Sequence, residues 1–211
     1  MFFNVEQLKQ PLTELDFVFF DTETTGISFD KGHDLIEIAL VRTKDTEIVD
    51  VYESRIKPVR LGQRVRISPD AMAVHGIMDW ELDKAPTFEE VYPEVVKRLP
   101  ENAILIAHNA PFDLRFLKGK MTECKLAMPE NTTLCSLKLS RAMYPEQKHS
   151  LEVLRDRYAV KAADDAHSAL GDTRALVEIF FKLIYRGLDK FPVTLGDVVN
   201  RHGKPLSLQT V

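Results

Sequence analysis

The chain is short of cysteine and of long apolar runs, and each shortage argues against a class of protein. Its two cysteines, Cys124 and Cys135, lack the spacing of a metal site and are too few for a disulfide framework. We therefore expect reduced thiols and a cytoplasmic location. No apolar stretch approaches the roughly 20 residues of a membrane helix. Residues 1–10 lack the basic and apolar regions of a secretory signal, so no membrane partner is expected.

The charge balance is slightly acidic, with a formal net charge of −4 and a pI of about 5.9. Strong non-specific binding to duplex nucleic acid depends on clustered Lys and Arg, so this balance argues against it. It does not exclude a nucleic-acid substrate that metal ions hold in a small cleft. One basic cluster, Arg60, Arg64 and Arg66, is typical of a solvated face, with contact to a single-strand backbone as the alternative.

The apolar pattern predicts an α/β fold with a mixed β-sheet and helices on both faces. Three early strand-like runs, over 17–21, 35–42 and 47–57, are separated by short polar breaks and predict an antiparallel meander. Ser68 before Pro69, and Thr87 with Glu90 three residues later, are typical helix starts. The other predicted elements are helices within 67–99 and over 111–117, 150–158 and 168–185, and strands over 103–107 and 133–137.

The sequence predicts one domain over residues 1–186, with its core at about 14–186, followed by a tail over 187–211. The tail is rich in Pro and Gly and only partly periodic. We therefore expect an appendage to the domain, with partner binding as a candidate role.

Two acidic residues stand at the end of the first predicted strand. Asp21 and Glu23 follow the apolar run Phe17-Val18-Phe19-Phe20 and precede a turn at Thr24-Thr25-Gly26. Residues i and i+2 of a strand point the same way, so the two carboxylates project together. Their repulsion and burial disfavour ionisation unless a cation lies between them. Carboxylate oxygens favour Mg²⁺ or Mn²⁺ over Zn²⁺ as the bound cation. The alternative is that the two carboxylates are simply solvated at the end of the strand.

Two further segments place acidic residues where helices begin. Asp113 follows the central strand within His108-Asn109-Ala110-Pro111-Phe112-Asp113, and Asp172 ends His167-Ser168-Ala169-Leu170-Gly171-Asp172. His167 and Asp172 converge if the histidine lies before the helix and the aspartate within it. Four carboxylates and one histidine are the set that a two-metal phosphodiesterase needs, with the histidine as general base.

These segments together resemble the motifs of the DEDDh exonuclease superfamily, also called DnaQ-like, which includes the epsilon proofreading subunit of DNA polymerase III. Residues 19–26 match the first motif, D-x-E-T-T-G after an apolar strand, and residues 108–113 match the second, H-N-x-x-F-D. Residues 167–172 match the third, H-x-A-x-x-D, whose histidine marks this branch. Val74-His75-Gly76-Ile77 is similar to a substrate-side segment of the family. The resemblance covers residues 17–183.

The resemblance implies an RNase H-like fold and a 3′-to-5′ exonuclease that removes nucleotides from single-stranded DNA ends. It implies two divalent ions, Mg²⁺ or Mn²⁺. An exoribonuclease similar to RNase T or oligoribonuclease remains the alternative, as does a subunit that works with a DNA polymerase or sliding clamp. The implied metal ligands are Asp21, Glu23, Asp113 and Asp172, the implied general base is His167, and the implied substrate contacts are Thr24, Thr25, Gly26, His75, His108, Asn109 and Phe112.

Several of these residues also have purely structural interpretations. Asp113 suits the first turn of a helix, where the macrodipole favours negative charge. His108 suits a buried structural histidine, His75 a helix end, and Phe112 core packing.

Overall fold

A five-stranded sheet forms the centre of the molecule, with the strand order β3-β2-β1-β6-β7. The computed structural model describes residues 3–161, 168–188 and 192–209. The first three strands form an antiparallel meander, as predicted, and β6 and β7 continue the sheet in parallel with β1. A two-stranded ribbon, β4 and β5, lies apart from it. The strands are β1 (Phe17–Thr24), β2 (Leu35–Lys44), β3 (Glu47–Arg55), β4 (Val59–Arg60), β5 (Gln63–Arg64), β6 (Ile104–Ala107) and β7 (Thr133–Cys135).

Helices cover both faces of this sheet, which confirms the predicted α/β class. The two marked helix starts are as predicted, since Ser68 caps α2 and Thr87 with Glu90 forms a capping box on α3. The predicted strand over 133–137 is wrong at its end, because the chain turns into a helix at Ser136. The helices are α1 (Val5–Lys9), α2 (Pro69–His75), α3 (Phe88–Lys97), α4 (Pro111–Glu123), α5 (Ser136–Met143), α6 (Leu151–Arg157), α7 (Ala169–Leu188) and α8 (Leu195–His202).

Strand alternation divides the core into two layers. Phe17 and Phe19 of β1 pack against Phe180 of α7, at ring-centroid distances of 5.7 and 5.4 Å. Val18 and Phe20 point to the opposite face, where α3 and α4 supply the apolar side chains. Because β1 and β6 run parallel, their carboxyl ends meet at the same edge of the sheet.

The described residues after 192 lie against this body. Leu195 and Val198 of α8 are fully buried in the layer that also contains α7. The backbone of Leu206 exchanges hydrogen bonds with Thr133 at the edge of β7, and the Nε2 atom of His202 accepts one of 2.8 Å from the Cys135 N–H. The tail thus contributes core side chains, while its predicted role in partner binding stays a prediction.

None of the described helices combines the length and the apolar character that crossing a lipid bilayer requires.

Candidate active site

The end of β1 distributes its polar side chains over both faces of the sheet. Asp21 and Glu23 share the face of Phe19, which α7 covers, and Thr22 lies on the α4 face. The register with β2 shifts between Glu23 and Thr24. Such irregularities bend a strand and redirect its side chains. The two carboxylates therefore project together where β1 leaves the regular sheet, as the sequence predicts.

The turn after Glu23 is held by internal hydrogen bonds. Thr25 is fully buried, its N–H donates to the Asp34 carbonyl and its carbonyl accepts from the Ser68 N–H. The Thr24 hydroxyl donates to the Gly26 carbonyl. A substrate contact by this segment stays a prediction for Thr24, Thr25 and Gly26.

The second segment turns sharply from β6 into α4. Asn109 has a φ of 67°, a left-handed conformation that asparagine tolerates better than most residues. Its carbonyl accepts the Phe112 N–H, and Pro111 then opens α4. This turn puts Asp113 in the first helical turn, where it is buried and accepts a 2.7 Å hydrogen bond from the Thr22 hydroxyl. Asp113 is thus joined to the strand that carries Asp21.

His108 is held inside the protein by both of its ring nitrogens. One ring nitrogen of His108 lies 2.8 Å from the Ser136 hydroxyl and the other lies 2.9 Å from the His149 carbonyl. Burial lowers its pKa to about 4, so the ring is neutral at physiological pH. These contacts fix the end of β6 to the segment before α6. The predicted substrate contact of His108 stays a prediction.

The third segment supplies Asp172 from the first turn of α7. Arg155 of α6 lies 3.6 Å from its carboxylate. His167, the predicted general base, lies outside the described residues. Its role stays a prediction.

The four carboxylates lie close enough to interact electrostatically. Burial raises the pKa of Asp21 well above its usual value, and the negative charges of Asp113, Glu23 and Asp172 raise it further. Burial likewise raises the pKa of Glu23 to about 8, with Glu37 as the largest charge contribution. Burial raises the pKa of Asp113 to about 7, against the opposing hydrogen bond from Thr22. The site concentrates negative charge that an added cation would relieve.

An open cleft of about 630 Å³ adjoins the first two motifs. Phe112, just before Asp113, forms part of its wall and packs on Phe116 at a centroid distance of 5.1 Å. Ile27, just after Gly26, also lines it and is 78% exposed. A large apolar side chain exposed beside an aromatic wall is suited to a flat apolar ligand. Sequence reasoning missed Ile27, although its place directly after the motif was a usable signal.

His75 sits at the end of α2 beside the first motif. Its Nδ1 accepts a 3.0 Å hydrogen bond from the Ile77 N–H. Burial lowers its pKa and a hydrogen bond to the Thr24 backbone opposes that shift, so the ring faces the first motif. The predicted substrate contact of His75 stays a prediction.

The basic cluster of Arg60, Arg64 and Arg66 is paired with acidic side chains. Arg60 lies 2.9 Å from Glu123, Arg64 lies 3.5 Å from Asp83, and Arg66 lies 3.7 Å from Asp79. The cluster therefore presents little net positive charge.

Comparison with known proteins agrees with this geometry. A family model described as exonuclease, RNase_T, matches residues 18–180. The chain is 37% identical over 203 residues to the DNA polymerase III subunit epsilon-like protein of Rhodobacter capsulatus, which covers 92% of this chain and 28% of that protein. It is 33% identical over 176 residues to the DNA polymerase III subunit epsilon of Escherichia coli, over 79% of this chain and 70% of that one. The chain thus spans little more than a quarter of the Rhodobacter relative.

A solved structure of exonuclease X in complex with 5′ overhanging duplex DNA has the same fold. The two superpose with a TM-score of 0.66 at 27% identity, over 86% of this chain and 98% of that one. The family match covers most of the chain and includes all four acidic motif positions together with the central sheet. The chain belongs to the exonuclease family, in the DnaQ-like group with an RNase H-like fold.

Proposed function

We propose that this chain is a 3′-to-5′ exonuclease that shortens single-stranded DNA ends by hydrolysis of the terminal phosphodiester. The observation that carries the proposal is the convergence of Asp21, Glu23, Asp113 and Asp172 from three separate segments. Their negative charges raise one another's pKa values at the edge of the sheet. Such a concentration of buried acidic groups destabilises the fold. Carboxylates with perturbed pKa values cluster at functional sites.

The donor set fits hard divalent cations. All four candidate ligands are carboxylates, the ligands that Mg²⁺ and Mn²⁺ prefer. Over 3–161, 168–188 and 192–209, no three acidic, histidine or cysteine side chains are already drawn together as a metal-binding group. A cation bound among the four carboxylates would discharge their mutual repulsion. When bound, two divalent ions would supply an activated water and stabilise the charge on the leaving oxygen.

The protein's own residues would then orient the strand and move one proton. His167 takes the proton of the attacking water as general base. The terminal base lies in the cleft between Ile27 and Phe112, where stacking on an aromatic ring contributes about 1–3 kcal/mol. His75 lies beside the first motif and would contact the terminal nucleotide there. The free thiols Cys124 and Cys135 suit action in a reducing cytoplasm.

The proposal is tested with 5′-labelled single-stranded DNA and RNA of the same sequence, and with the same DNA blocked at its 3′ end. Mg²⁺, Mn²⁺ and Zn²⁺ are compared with EDTA. We expect a metal-dependent ladder that shortens from the 3′ end, faster on DNA, and no products from the blocked strand. Internal cleavage of the blocked strand would contradict the exonuclease polarity. Faster cleavage of RNA would replace the DNA assignment with the exoribonuclease alternative.

A second candidate function is exonuclease action within a polymerase complex, which the polymerase III names of its relatives favour. Affinity purification of the tagged chain from its own cells would then recover a DNA polymerase or sliding clamp in stoichiometric amount. Full activity of the purified monomer without such a partner would favour the free-standing enzyme.

A further inference from the structure

Glu37 is a buried acid that none of the three motifs contains. On the sheet it lies opposite Glu23 of β1 on one side and opposite Arg55 of β3 on the other. Like charges directly opposite each other on a sheet are destabilising. Glu37 is nevertheless only 1% exposed, and among neighbouring charges it does most to raise the pKa of Glu23. A residue kept at such a cost needs a compensating contact.

The compensating contacts are made by the two oxygens of Glu37. One forms an ion pair with Arg55, at 2.9 Å from its Nε. The other accepts a 2.9 Å hydrogen bond from the N–H of Ala169, the first residue of α7. The first N–H groups of a helix have no partner within the helix. Here the Glu37 carboxylate accepts from the Ala169 N–H, and the Ser168 hydroxyl accepts from the Gly171 N–H.

This contact determines where the first turn of α7 lies. Glu37 belongs to the strand next to β1, so the start of the helix is tied to the sheet beside Glu23. Asp172 follows in the same helical turn, three residues after Ala169. A carboxylate at the N-terminus also suits the macrodipole of a 20-residue helix. Arg55 offsets the charge that Glu37 brings into the site.

We propose that Glu37 is a positioning residue, which holds the first turn of α7 so that Asp172 meets the carboxylates of β1. The inference rests on the proposed function, because it assigns Asp172 to the same site. Glu37 touches neither metal nor substrate in this account. It acts through the Ala169 amide, with Arg55 as its counter-charge.

Two conservative variants separate positioning from charge. Glu37→Asp keeps the charge but shortens the side chain by about 1.5 Å, so it no longer reaches both Arg55 and Ala169. Glu37→Gln keeps the length and an oxygen acceptor for the Ala169 N–H but removes the charge. Arg42→Gln is the matched control, because Arg42 also lies on β2 and forms a 3.0 Å ion pair with Asp16 at the other end of the strand.

The full chain is compared by Mn²⁺ titration calorimetry, by hydrogen exchange of the amides at 169–172, and by steady-state kinetics on single-stranded DNA. We expect Glu37→Asp to lower Mn²⁺ affinity and kcat by about 10–100-fold, with faster exchange at 169–172. The KM for the oligonucleotide should change less than about threefold, since the lost contact does not bind the strand. Glu37→Gln should stay within about threefold of wild type, because a neutral acceptor keeps roughly half the strength of the bond.

The opposite ranking, with Glu37→Gln impaired and Glu37→Asp normal, would overturn the proposal in favour of a purely electrostatic role. Losses in both variants that follow melting temperature as in Arg42→Gln would overturn it in favour of general stability. Wild-type protein that binds Mn²⁺ but cleaves no DNA would defeat the proposed function alone. The exchange and Mn²⁺ measurements would still decide whether Glu37 positions the helix.

Discussion

The Thr22 hydroxyl donates a 2.7 Å hydrogen bond to the carboxylate of Asp113, a residue 91 positions away. The bond joins β1 to the first turn of α4 on the face opposite Asp21. Both partners are buried, so the hydroxyl supports the ionised form of an acid that burial would otherwise protonate. Two of the three acidic segments are thereby held together before any cation binds.

Thr22→Val should therefore weaken metal binding at neutral pH. Valine matches threonine in shape but cannot donate, and a hydrogen bond to a charged group contributes about 1.5–3 kcal/mol. The pKa of Asp113 should rise above its present value of about 7. We expect Mn²⁺ affinity to fall by about tenfold at pH 7 and by less at pH 9, measured by titration calorimetry. Thr22→Ser keeps the donor and is the control; equal affinities of wild type and Thr22→Val at pH 7 would contradict the prediction.

The metal-free protein should lose stability between pH 6.5 and pH 9. The pKa values of Glu23 and Asp113 are raised to about 8 and about 7, so the folded state holds these protons more tightly than the unfolded state. Their contribution is fully present below the unfolded pKa values and is lost as pH rises through 7 to 8. The pKa values of His108 and His202 are lowered to about 4, and their stabilising effect is lost only as pH falls below the usual histidine range.

Thermal unfolding in EDTA measures this slope. Asp113→Asn should flatten it and raise Tm at pH 9 by at least about 2 °C relative to wild type, because a buried charge is removed. Added Mg²⁺ should stabilise the wild type more at pH 9 than at pH 6.5, since it binds the ionised carboxylates. A wild-type slope unchanged by Asp113→Asn would show that Asp113 does not carry the raised pKa.

Gly26 is a glycine because His33 packs against it. A Cβ atom at Gly26 would lie 2.4 Å from the His33 ring, and that ring lies 3.3 Å from the Thr25 hydroxyl. We expect Gly26→Ala to cost about 1–3 kcal/mol of unfolding free energy by urea denaturation, as overpacking does. Adding the alanine to a His33→Ala background should cost less than about 0.5 kcal/mol, because the obstructing ring is gone. Strictly additive costs would exclude the steric explanation.

The tail should stabilise the sheet through His202. Its Nε2 is the acceptor for the buried Cys135 N–H at the end of β7, at 2.8 Å. His202→Leu leaves that donor unpaired, and we expect a loss of about 1–3 kcal/mol by urea denaturation. Arg201→Leu, at the exposed neighbouring position, is the control and should change stability by less than about 0.5 kcal/mol. Equal effects of the two substitutions would argue against the bond.

The sequence predicts the site best where one local pattern suffices. Asp21 with Glu23 follows from strand alternation, and the cap at Ser68 follows from a Ser-Pro start. The contacts of His108 could not be predicted, because Ser136 and the His149 carbonyl reach it from distant parts of the chain. The packing of α8 depended in the same way on partners far away in the sequence.

The role of Glu37 could not be predicted from the sequence motifs. It stands within Leu35-Ile36-Glu37-Ile38, an apolar strand in which an acid has no local explanation. An acid at this position is unusual from the sequence alone, but the hydrogen-bond partner of Glu37, Ala169, lies 132 positions later. Only the folded arrangement of β2 beside α7 shows what the acid does.

The most direct test of the central claim compares an aspartate within β1 with one just before it. Asp21 lies in the carboxylate cluster, and Asp16 precedes β1 and pairs with Arg42 at 3.0 Å. Single-turnover cleavage of 5′-labelled single-stranded DNA is measured in Mg²⁺ for wild type, Asp21→Asn and Asp16→Asn. We expect 3′-end shortening that falls roughly 100-fold or more in Asp21→Asn and stays near wild type in Asp16→Asn. Cleavage by Asp21→Asn at the wild-type rate would contradict the assignment of this cluster as the active site.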